Sequence, residues 1–197
     1  MRREELEELH YISPIANVPS ILTHGILSHM RASKLPHQSV AMPEIQDRRR
    51  KVRVPNARSL HEYVNLYICA RNPMMYKRQA EHSSICVLRI NPSVLDLPKA
   101  IIADQNASSD YVRFFPASSG LVRIDRDLVF AERWTHPDDL IEQLRHRSIK
   151  CAEVLVPDRV DASFITGVYI SGSIGQNALA AVAPGLAATV YGYMFFR

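Results

Sequence analysis

One carboxylate of this chain lies where a charged group is costly. Glu153 sits in the run from Cys151 to Pro157, whose other members are all apolar. The run predicts a buried strand, and an ionised side chain there is expensive unless it is paired or takes part in chemistry. The residues alone leave two interpretations open, a salt bridge at a strand end and a catalytic carboxylate.

A dense group of cations is the second feature. Five of the six positions from residue 48 to residue 53 are Arg or Lys, and aromatic side chains interleave with further cations between residues 60 and 76. Cations for phosphates beside aromatic rings for stacking are what single-strand nucleic-acid binding requires. The alternative is a solvated helix face.

Several familiar sites are missing from the sequence. There is no Gly-x-Gly-x-x-Gly and no Gly-Lys-Ser/Thr loop, which argues against a Rossmann dinucleotide site and a P-loop. His24, His29 and His37 are loosely spaced without a nearby Cys or acid, so we predict no metal site. The three cysteines are far apart and have no Cys-x-x-Cys spacing, which indicates buried thiols.

Length and composition are those of one folded unit. The chain has 197 residues, of which 47% are hydrophobic and 22% charged, and a formal net charge of +4. These values predict a single globular domain over residues 1–197. The N-terminal residues are charged where a signal peptide would be apolar, and no run approaches a membrane span of about eighteen apolar residues. We therefore expect a cytoplasmic protein without membrane contact.

The elements that must position these residues are short and mixed. We predict a loop over residues 28–38, and Thr135 to Asp138 resembles a capping box that opens a helix through Leu144. No regular strand-helix-strand rhythm of a doubly wound sheet is present. Strands are predicted at 9–12, 63–69, 85–90, 100–103, 151–156, 167–171 and 189–195, and helices at 18–23 before Gly25, 42–51 and 174–182.

Five short segments follow one another in a fixed order between residue 9 and residue 156. They are Leu9-His10-Tyr11-Ile12-Ser13 with Asn17-Val18-Pro19-Ser20-Ile21-Leu22, then Ile45-Gln46-Asp47-Arg48-Arg49, Leu60-His61-Glu62-Tyr63-Val64, Asn72-Pro73-Met74-Met75-Tyr76 and Ala152-Glu153-Val154-Leu155-Val156. In this order they resemble the DarT family of bacterial DNA ADP-ribosyltransferase toxins. The resemblance covers most of the chain.

The resemblance implies an α+β, ADP-ribosyltransferase-like fold, with a split mixed and antiparallel sheet around an NAD cleft and flanking helices. It implies transfer of ADP-ribose from NAD to a base in single-stranded DNA, with nicotinamide released and NAD consumed as a substrate, without a metal. Thymidine is the favoured base. Guanosine is the alternative, because thymidine-modifying relatives carry Phe-Thr-Asp-x-His-Ala where this chain reads Ile102-Ala103-Asp104-Gln105-Asn106-Ala107.

The same resemblance assigns site residues. Glu153 corresponds to the catalytic glutamate, whose carboxylate orients the ribose and stabilises the positive charge that develops on it. Arg49 corresponds to an arginine that contacts NAD and acts at the target base. A guanidinium stays charged in proteins, so we expect Arg49 to bind pyrophosphate or a developing base anion. Further NAD contacts are expected from Tyr11, Ile12, Ser13, Ser20 and Ser28.

Nucleic-acid contacts are expected from the basic cluster and from the stretch before Glu153. Trp134 is a stacking candidate, with a core tryptophan as the alternative. The expected contacts are Arg48, Arg50, Arg53, Arg133, Trp134, His136 and Arg147.

The family resemblance also implies a macrodomain antitoxin, similar to DarG, on a separate chain. Two rival hypotheses remain. One is a metal-dependent nuclease toxin that uses Asp104, Asp110, Asp125 and Asp127. The other is a non-enzymatic, basic nucleic-acid-binding module in which Glu153 is structural.

Overall fold

The structure, a computed structural model, describes all residues from Met1 to Arg197. The strands are β1 (Leu9–Pro14), β2 (Ile26–Leu27), β3 (Tyr63–Tyr67), β4 (Ile85–Ile90), β5 (Ile101–Ala103), β6 (Phe114–Pro116), β7 (Glu153–Pro157), β8 (Arg159–Val160), β9 (Ile165–Ile170) and β10 (Ala188–Val190). The α-helices are α1 (Val18–His24), α2 (His29–Ala32), α3 (Pro43–Lys51), α4 (Pro73–Lys77), α5 (Ala117–Gly120), α6 (Arg126–Phe130), α7 (Leu140–Ile149) and α8 (Ser173–Val182). Short 3-10 helices cover Arg3–Glu5, Ile15–Asn17, Leu60–Glu62, Gln79–Glu81, Pro92–Asp96, Leu121–Arg123, Ala162–Phe164 and Gly192–Phe195.

Eight strands form one sheet in the order β10-β9-β4-β1-β3-β7-β5-β6. Every neighbouring pair is antiparallel except β10 and β9, which are parallel. β2 and β8 form a separate two-stranded antiparallel sheet. The mixed, mostly antiparallel sheet with flanking helices confirms the predicted fold class.

No helix combines the length and the apolar character needed to span a bilayer.

The two faces of the central strands bury different clusters of side chains. Successive residues of a strand point to opposite faces, so Val154 and Val156 of β7 enter the largest apolar cluster. Leu155 packs into a smaller cluster on the other face, and Glu153, two residues before it, shares that face. The buried carboxylate is therefore turned away from the main core.

Gly25 ends α1, as the sequence predicts. Its φ angle is +78°, a left-handed value that favours glycine. A Cβ atom there would overlap the carbonyl oxygen of Val160. The chain can therefore pass from α1 into β2 close against β8 only with glycine at this position.

The predicted start of the helix before Glu153 is wrong. α7 begins at Leu140 and continues to Ile149, well beyond the predicted end at Leu144. Its cap is Asp139, whose side chain accepts a hydrogen bond from the backbone N–H of Glu142 at 2.9 Å. Pro137 keeps the residue before it out of the helical region, so the helix begins only where the Asp139 carboxylate meets the free N–H groups.

Two other predicted elements need correction. The strand expected over 189–195 ends at Val190, and residues 192–195 form a 3-10 helix. β10 pairs with β9 only as far as Ile170, where β9 ends, and the chain then turns to bury Met194 and Phe195. The predicted loop over 28–38 contains one helical turn, α2.

Glu8 joins three strands near the start of β1 through its carboxylate. Its carboxylate accepts a hydrogen bond from Arg89 Nε at 2.6 Å and lies 3.1 Å from His10 Nε2. Partial burial opposes ionisation, but the hydrogen bonds from His10, Arg89 and Tyr169 outweigh it and lower the pKa of Glu8 to about 2.

We expect Glu8→Gln to reduce the loss of stability in acid. Because the pKa is lowered on folding, the stabilisation is complete above the pKa of the unfolded carboxyl and disappears as the pH falls towards 2. Wild type should exceed the variant by about 2 kcal/mol in unfolding free energy at pH 6 and approach it near pH 2. Urea denaturation at several pH values measures this, with exposed Glu7→Gln as the control. Parallel pH curves for wild type and Glu8→Gln would contradict the prediction.

Candidate active site

Glu153 is held by the sheet itself. It is the first residue of β7 and lies opposite Tyr67 of β3 and Ala103 of β5. Only 1% of the residue is exposed. A side chain with a strand on each side has little freedom, so the carboxylate has a fixed position.

The carboxylate forms a buried two-point ion pair with Arg49 of α3. Arg49 Nη1 donates to Oε1 at 2.9 Å, and Nη2 donates to Oε2 at 3.2 Å. The backbone N–H of Ala107 also donates to Oε1, at 3.0 Å. A carboxylate oxygen has about two lone-pair sites. Oε1 is therefore saturated, whereas Oε2 can accept one more hydrogen bond.

Burial and the ion pair together set the charge states of Arg49 and Tyr67. Burial alone would lower the pKa of Arg49, but the charge and hydrogen bonds of Glu153 outweigh burial and raise that pKa. Burial and the Glu153 charge also raise the pKa of Tyr67. Arg49 therefore stays a cation and the Tyr67 phenol stays protonated at neutral pH. Neither group is a proton acceptor.

Arg49 is the one buried residue of α3, and 8% of its side chain is exposed. Arg48 and Arg50 on either side are exposed, as is Arg53 beyond the helix. The cluster that looks uniform in the sequence therefore separates into one buried site residue and several cations that face solvent.

A cavity of about 150 Å³ lies beside Arg49. Its wall includes the predicted Tyr11, Ile12 and Ser13 as well as Arg49. Ser20 is not part of the wall. Ser28 is fully buried, and its sequence neighbours Leu27 and His29 are both part of the wall. The full lining is Tyr11, Ile12, Ser13, Pro14, Asn17, Leu27, His29, Ala32, His37, Gln38, Ser39, Val40, Ala41, Ile45, Gln46, Arg49, Leu60, His61, Tyr63, Asn65, Tyr67, Met74 and Asn106.

Three buried polar atoms without a hydrogen-bond partner belong to residues of the cavity wall or, for Ser28, to a residue between two of them in the sequence. They are Ser28 Oγ, Gln46 Oε1 and His61 Nε2. Burying a polar group without a partner costs about 1–3 kcal/mol, so such groups are uncommon unless a ligand or water completes them. Their position supports a polar ligand in this cavity.

Several wall residues are absent from the sequence predictions. Tyr63, Asn65 and Tyr67 occupy alternate positions of β3 and therefore share one face. Asn65 is a polar residue in an otherwise apolar strand, and this contrast in the sequence could have indicated a site residue, as it did for Glu153. The His61 ring packs against the His29 ring in a tilted arrangement, with a centroid distance of 4.2 Å, and no local sequence pattern predicts that contact.

The other expected nucleic-acid residues lie in and near the segment between α6 and α7. Arg133 and Arg147 are exposed, whereas Trp134 and His136 are half-buried. His136 Nε2 lies 2.9 Å from Nδ1 of the buried His146. None of these four side chains is part of the cavity wall.

The four aspartates of the nuclease hypothesis do not converge. Asp104 pairs with Arg113 at 2.7 Å, and Asp125 caps α6 by accepting from Leu128 N–H. No group of three or more His, Cys, Asp or Glu side chains in the structure is arranged to hold a metal ion. The geometry does not favour a two-metal nuclease.

Comparison with known proteins gives consistent matches. The family model described as "ssDNA thymidine ADP-ribosyltransferase, DarT" matches residues 10–182. A DNA ADP-ribosyl transferase-DNA ADP-ribosyl glycohydrolase fusion protein of Thermosipho africanus is 30% identical over 175 residues, which are 83% of this chain and 42% of that protein. A DNA ADP-ribosyl transferase of Thermus sp. (strain 2.9) is 29% identical over 87% of this chain and 85% of its own length.

Solved structures agree with the sequence matches. Thermosipho africanus DarTG in complex with ADP-ribose superposes with a TM-score of 0.83 at 28% identity, over 96% of this chain and 51% of that one. Thermus sp. 2.9 DarT in complex with ADP-ribosylated single-stranded DNA superposes with a TM-score of 0.81 at 23% identity, over 97% of both chains. The chain thus spans about half of the Thermosipho protein and nearly all of the Thermus protein.

Proposed function

The chain belongs to the DarT family, and from that premise we propose that it transfers ADP-ribose from NAD to a base in single-stranded DNA. The observation that carries the proposal is the buried Arg49–Glu153 pair, of which Arg49 is part of the cavity wall. A structural salt bridge needs no adjoining cavity whose wall contains unpaired polar atoms. The family model matches residues 10–182, and we propose that residues 1–197 form one transferase domain.

Glu153 is proposed to act on the ribose that carries nicotinamide. The bond between the ribose C1′ and nicotinamide breaks, nicotinamide leaves with the electron pair, and positive charge develops on the sugar. Oε2, which retains a free lone-pair site, is the oxygen that accepts the ribose 2′-hydroxyl. A fixed carboxylate stabilises the developing charge without having to reorganise.

Arg49 is proposed to orient Glu153 and to stabilise negative charge on the phosphates or on the target base. Its raised pKa excludes a role as general base. Burial lowers the pKa values of His29 and His61 in the cavity wall, so both imidazoles are neutral at pH 7. These neutral rings, and not Arg49, are available to accept the proton that the base loses when its nitrogen bonds to C1′.

The proposed NAD contacts are the cavity-lining Tyr11, Ile12 and Ser13, together with Ser28, which is buried and lies in sequence between the lining residues Leu27 and His29. Ser20 remains a prediction from the family resemblance. The proposed contacts to the DNA backbone are the exposed Arg48, Arg50, Arg53, Arg133 and Arg147, with Trp134 and His136 nearer the bases.

Residues 33–42, the covering segment, limit access to the cavity. Five of them, His37 to Ala41, form part of its wall, and Arg78 Nε donates to the carbonyl oxygen of Val40 at 3.0 Å. Ligand pockets usually have volumes of roughly 300 to 1,000 Å³. The cavity of about 150 Å³ is smaller than that. We therefore expect the covering segment to move when NAD enters.

Arg78→Met should lower the KM for NAD by about 2- to 10-fold with little change in kcat. The variant removes one hydrogen bond that favours the covered state, at about 0.5–1.5 kcal/mol, and so increases the fraction of open protein. Steady-state kinetics with varied NAD measures this. Glu81→Gln is the control, because it removes the other partner of Arg78 and keeps the bond to Val40. An increase in KM would show that the segment closes onto NAD instead.

The function is tested by intact mass spectrometry of single-stranded oligonucleotides incubated with the protein and NAD. One oligonucleotide contains thymidine as its only modifiable base, and the other contains guanosine but no thymidine. A gain of one ADP-ribose unit identifies the base, and the family favours thymidine. Asn106, in the cavity wall where relatives carry a histidine, is the residue that makes guanosine worth testing. Unmodified DNA with intact NAD would overturn the proposal.

The remaining proposals concern partners and location. The Thermosipho relative joins a transferase to a DNA ADP-ribosyl glycohydrolase in one protein. We propose that a macrodomain antitoxin with that reversing activity is the partner of this transferase domain. NAD and single-stranded DNA occur together inside the cell, which favours a cytoplasmic location.

A further inference from the structure

Three aromatic side chains from three separate segments meet on one side of the protein. They are Tyr76 of α4, Trp134 between α6 and α7, and Phe196 after the last 3-10 helix. The three ring centroids lie 5.2–6.0 Å apart, with interplanar angles of 79–84°. We name these three rings the aromatic platform.

The platform is not part of the buried core. Tyr76 is 49% exposed, and Trp134 and Phe196 are half-buried. Edge-to-face packing fixes the three rings against one another while part of their surface remains open. Exposed apolar surface that is held rigid in this way commonly marks a binding site.

Three cations contact the platform or adjoin it in the sequence, and none of the three forms a salt bridge. The Arg71 guanidinium lies 3.9 Å from the Phe196 ring centroid and 4.1 Å from that of Tyr193. It donates to the Tyr193 carbonyl oxygen and forms no salt bridge. Lys77 and Arg133, the exposed neighbours of Tyr76 and Trp134 in the sequence, also form none. Glu132, which precedes Arg133, accepts a hydrogen bond from the Tyr193 hydroxyl at 2.9 Å.

The platform is joined to the active site by shared packing. Phe196 packs against the same apolar cluster as Val40, Tyr67 and Met74, which line the cavity. On the other side, buried Lys150 donates to the carbonyl oxygens of Val129 and Ala131, both at 2.8 Å. Its ammonium lies 5.8 Å from the Trp134 ring centroid, and Lys150 stands three residues before Glu153. The platform therefore has a fixed position relative to the catalytic carboxylate.

We propose that the aromatic platform stacks bases of single-stranded DNA that flank the target base, while Arg71, Lys77 and Arg133 bind the adjoining phosphates. This inference rests on the proposed function, since it identifies where the strand lies beside that site. Every base has a flat face, so stacking on aromatic rings tolerates any sequence. Uncompensated cations beside the rings favour an anionic polymer over an uncharged partner.

Trp134 provides a direct test because it is the only tryptophan of the chain. A single-stranded oligocytidylate, which offers neither thymidine nor guanosine, is titrated into the protein without NAD while tryptophan fluorescence is recorded. We expect saturable quenching that weakens as salt is added. A fully paired duplex should quench much less, because its base faces are already stacked. Unchanged fluorescence with the oligocytidylate would overturn the proposal.

Variants extend the test to the other rings. Binding of a dye-labelled oligocytidylate, followed by fluorescence anisotropy, should weaken by about 5- to 150-fold in Tyr76→Leu and in Trp134→Leu. Tyr76→Phe and Trp134→Phe should retain most of the affinity, because a flat ring remains. Phe115→Leu is the matched control, since Phe115 also lies near two arginines but is on the edge strand β6. Equal losses in the Leu and Phe variants would contradict stacking, and thermal unfolding verifies that each variant is folded.

The result separates this inference from the proposed function. Base modification without quenching or loss of affinity would leave the transferase intact and overturn the platform. Quenching by DNA without any modification would support the platform and overturn the proposed function. Quenching by a macrodomain protein but not by DNA would assign the surface to a protein partner and overturn the inference.

Discussion

Glu153→Gln should reduce the rate of ADP-ribose transfer by about 100- to 1,000-fold. This is the loss typical when one preorganised electrostatic contact to a developing charge is removed. The amide keeps the size of the carboxylate and can accept hydrogen bonds, but it carries no charge to stabilise the ribose. Product formation on the thymidine oligonucleotide, measured by mass spectrometry at saturating NAD, gives the rate. Asp96→Asn, which removes a surface ion pair with Arg3, is the control and should act as wild type.

The same variant should also be less stable, and this effect must be separated from catalysis. It leaves the Arg49 charge buried without a counterion, which costs about 3–5 kcal/mol. For a chain of this size that loss corresponds to a decrease in Tm of roughly 6 to 20 °C. The double variant Arg49→Met/Glu153→Leu replaces the pair by apolar side chains and should recover most of the Tm. It should remain inactive. Recovered activity in the double variant would rule out a catalytic role for Glu153.

Arg49→Lys should lower kcat/KM by about 10- to 100-fold while most of the stability is kept. Lysine retains the positive charge but cannot donate to both Oε1 and Oε2 from one planar group. Loss of one hydrogen bond to a charged group costs about 1.5–3 kcal/mol, and Glu153 would lose its fixed orientation. Measuring kcat and KM for NAD separately distinguishes orientation, which lowers kcat, from phosphate binding, which raises KM.

Arg49→Met serves as the comparison for the lysine variant. It leaves the Glu153 charge without a partner, so we expect a large decrease in Tm together with loss of transfer. If Arg49→Lys retained full activity, the paired geometry seen at 2.9 and 3.2 Å would be unnecessary and charge alone would suffice. If activity rose towards high pH in Arg49→Lys alone, a neutral lysine would be acting as a base.

The sequence alone determined the features that depend on local contrast. Glu153 is visible because a charge in an apolar strand is costly wherever that strand lies, and α1 ends at Gly25 because only glycine adopts that backbone angle readily. Runs of β-branched, aromatic and aliphatic residues predicted the central strands within a few residues. Five ordered segments identified the family, and the fold and its substrate class followed from it.

The tertiary structure decided what brings distant residues together. Arg49 and Glu153 are 104 residues apart, and the sequence did not show that only this arginine of its cluster turns inwards. The sequence also did not predict the covering segment, the position of Ser20 outside the wall or the contact of Phe196 with Trp134. Such contacts depend on the order of strands in the sheet and on which face of each segment becomes buried. Both result from packing of the whole chain, whereas a periodic pattern reports only the preference of each segment by itself.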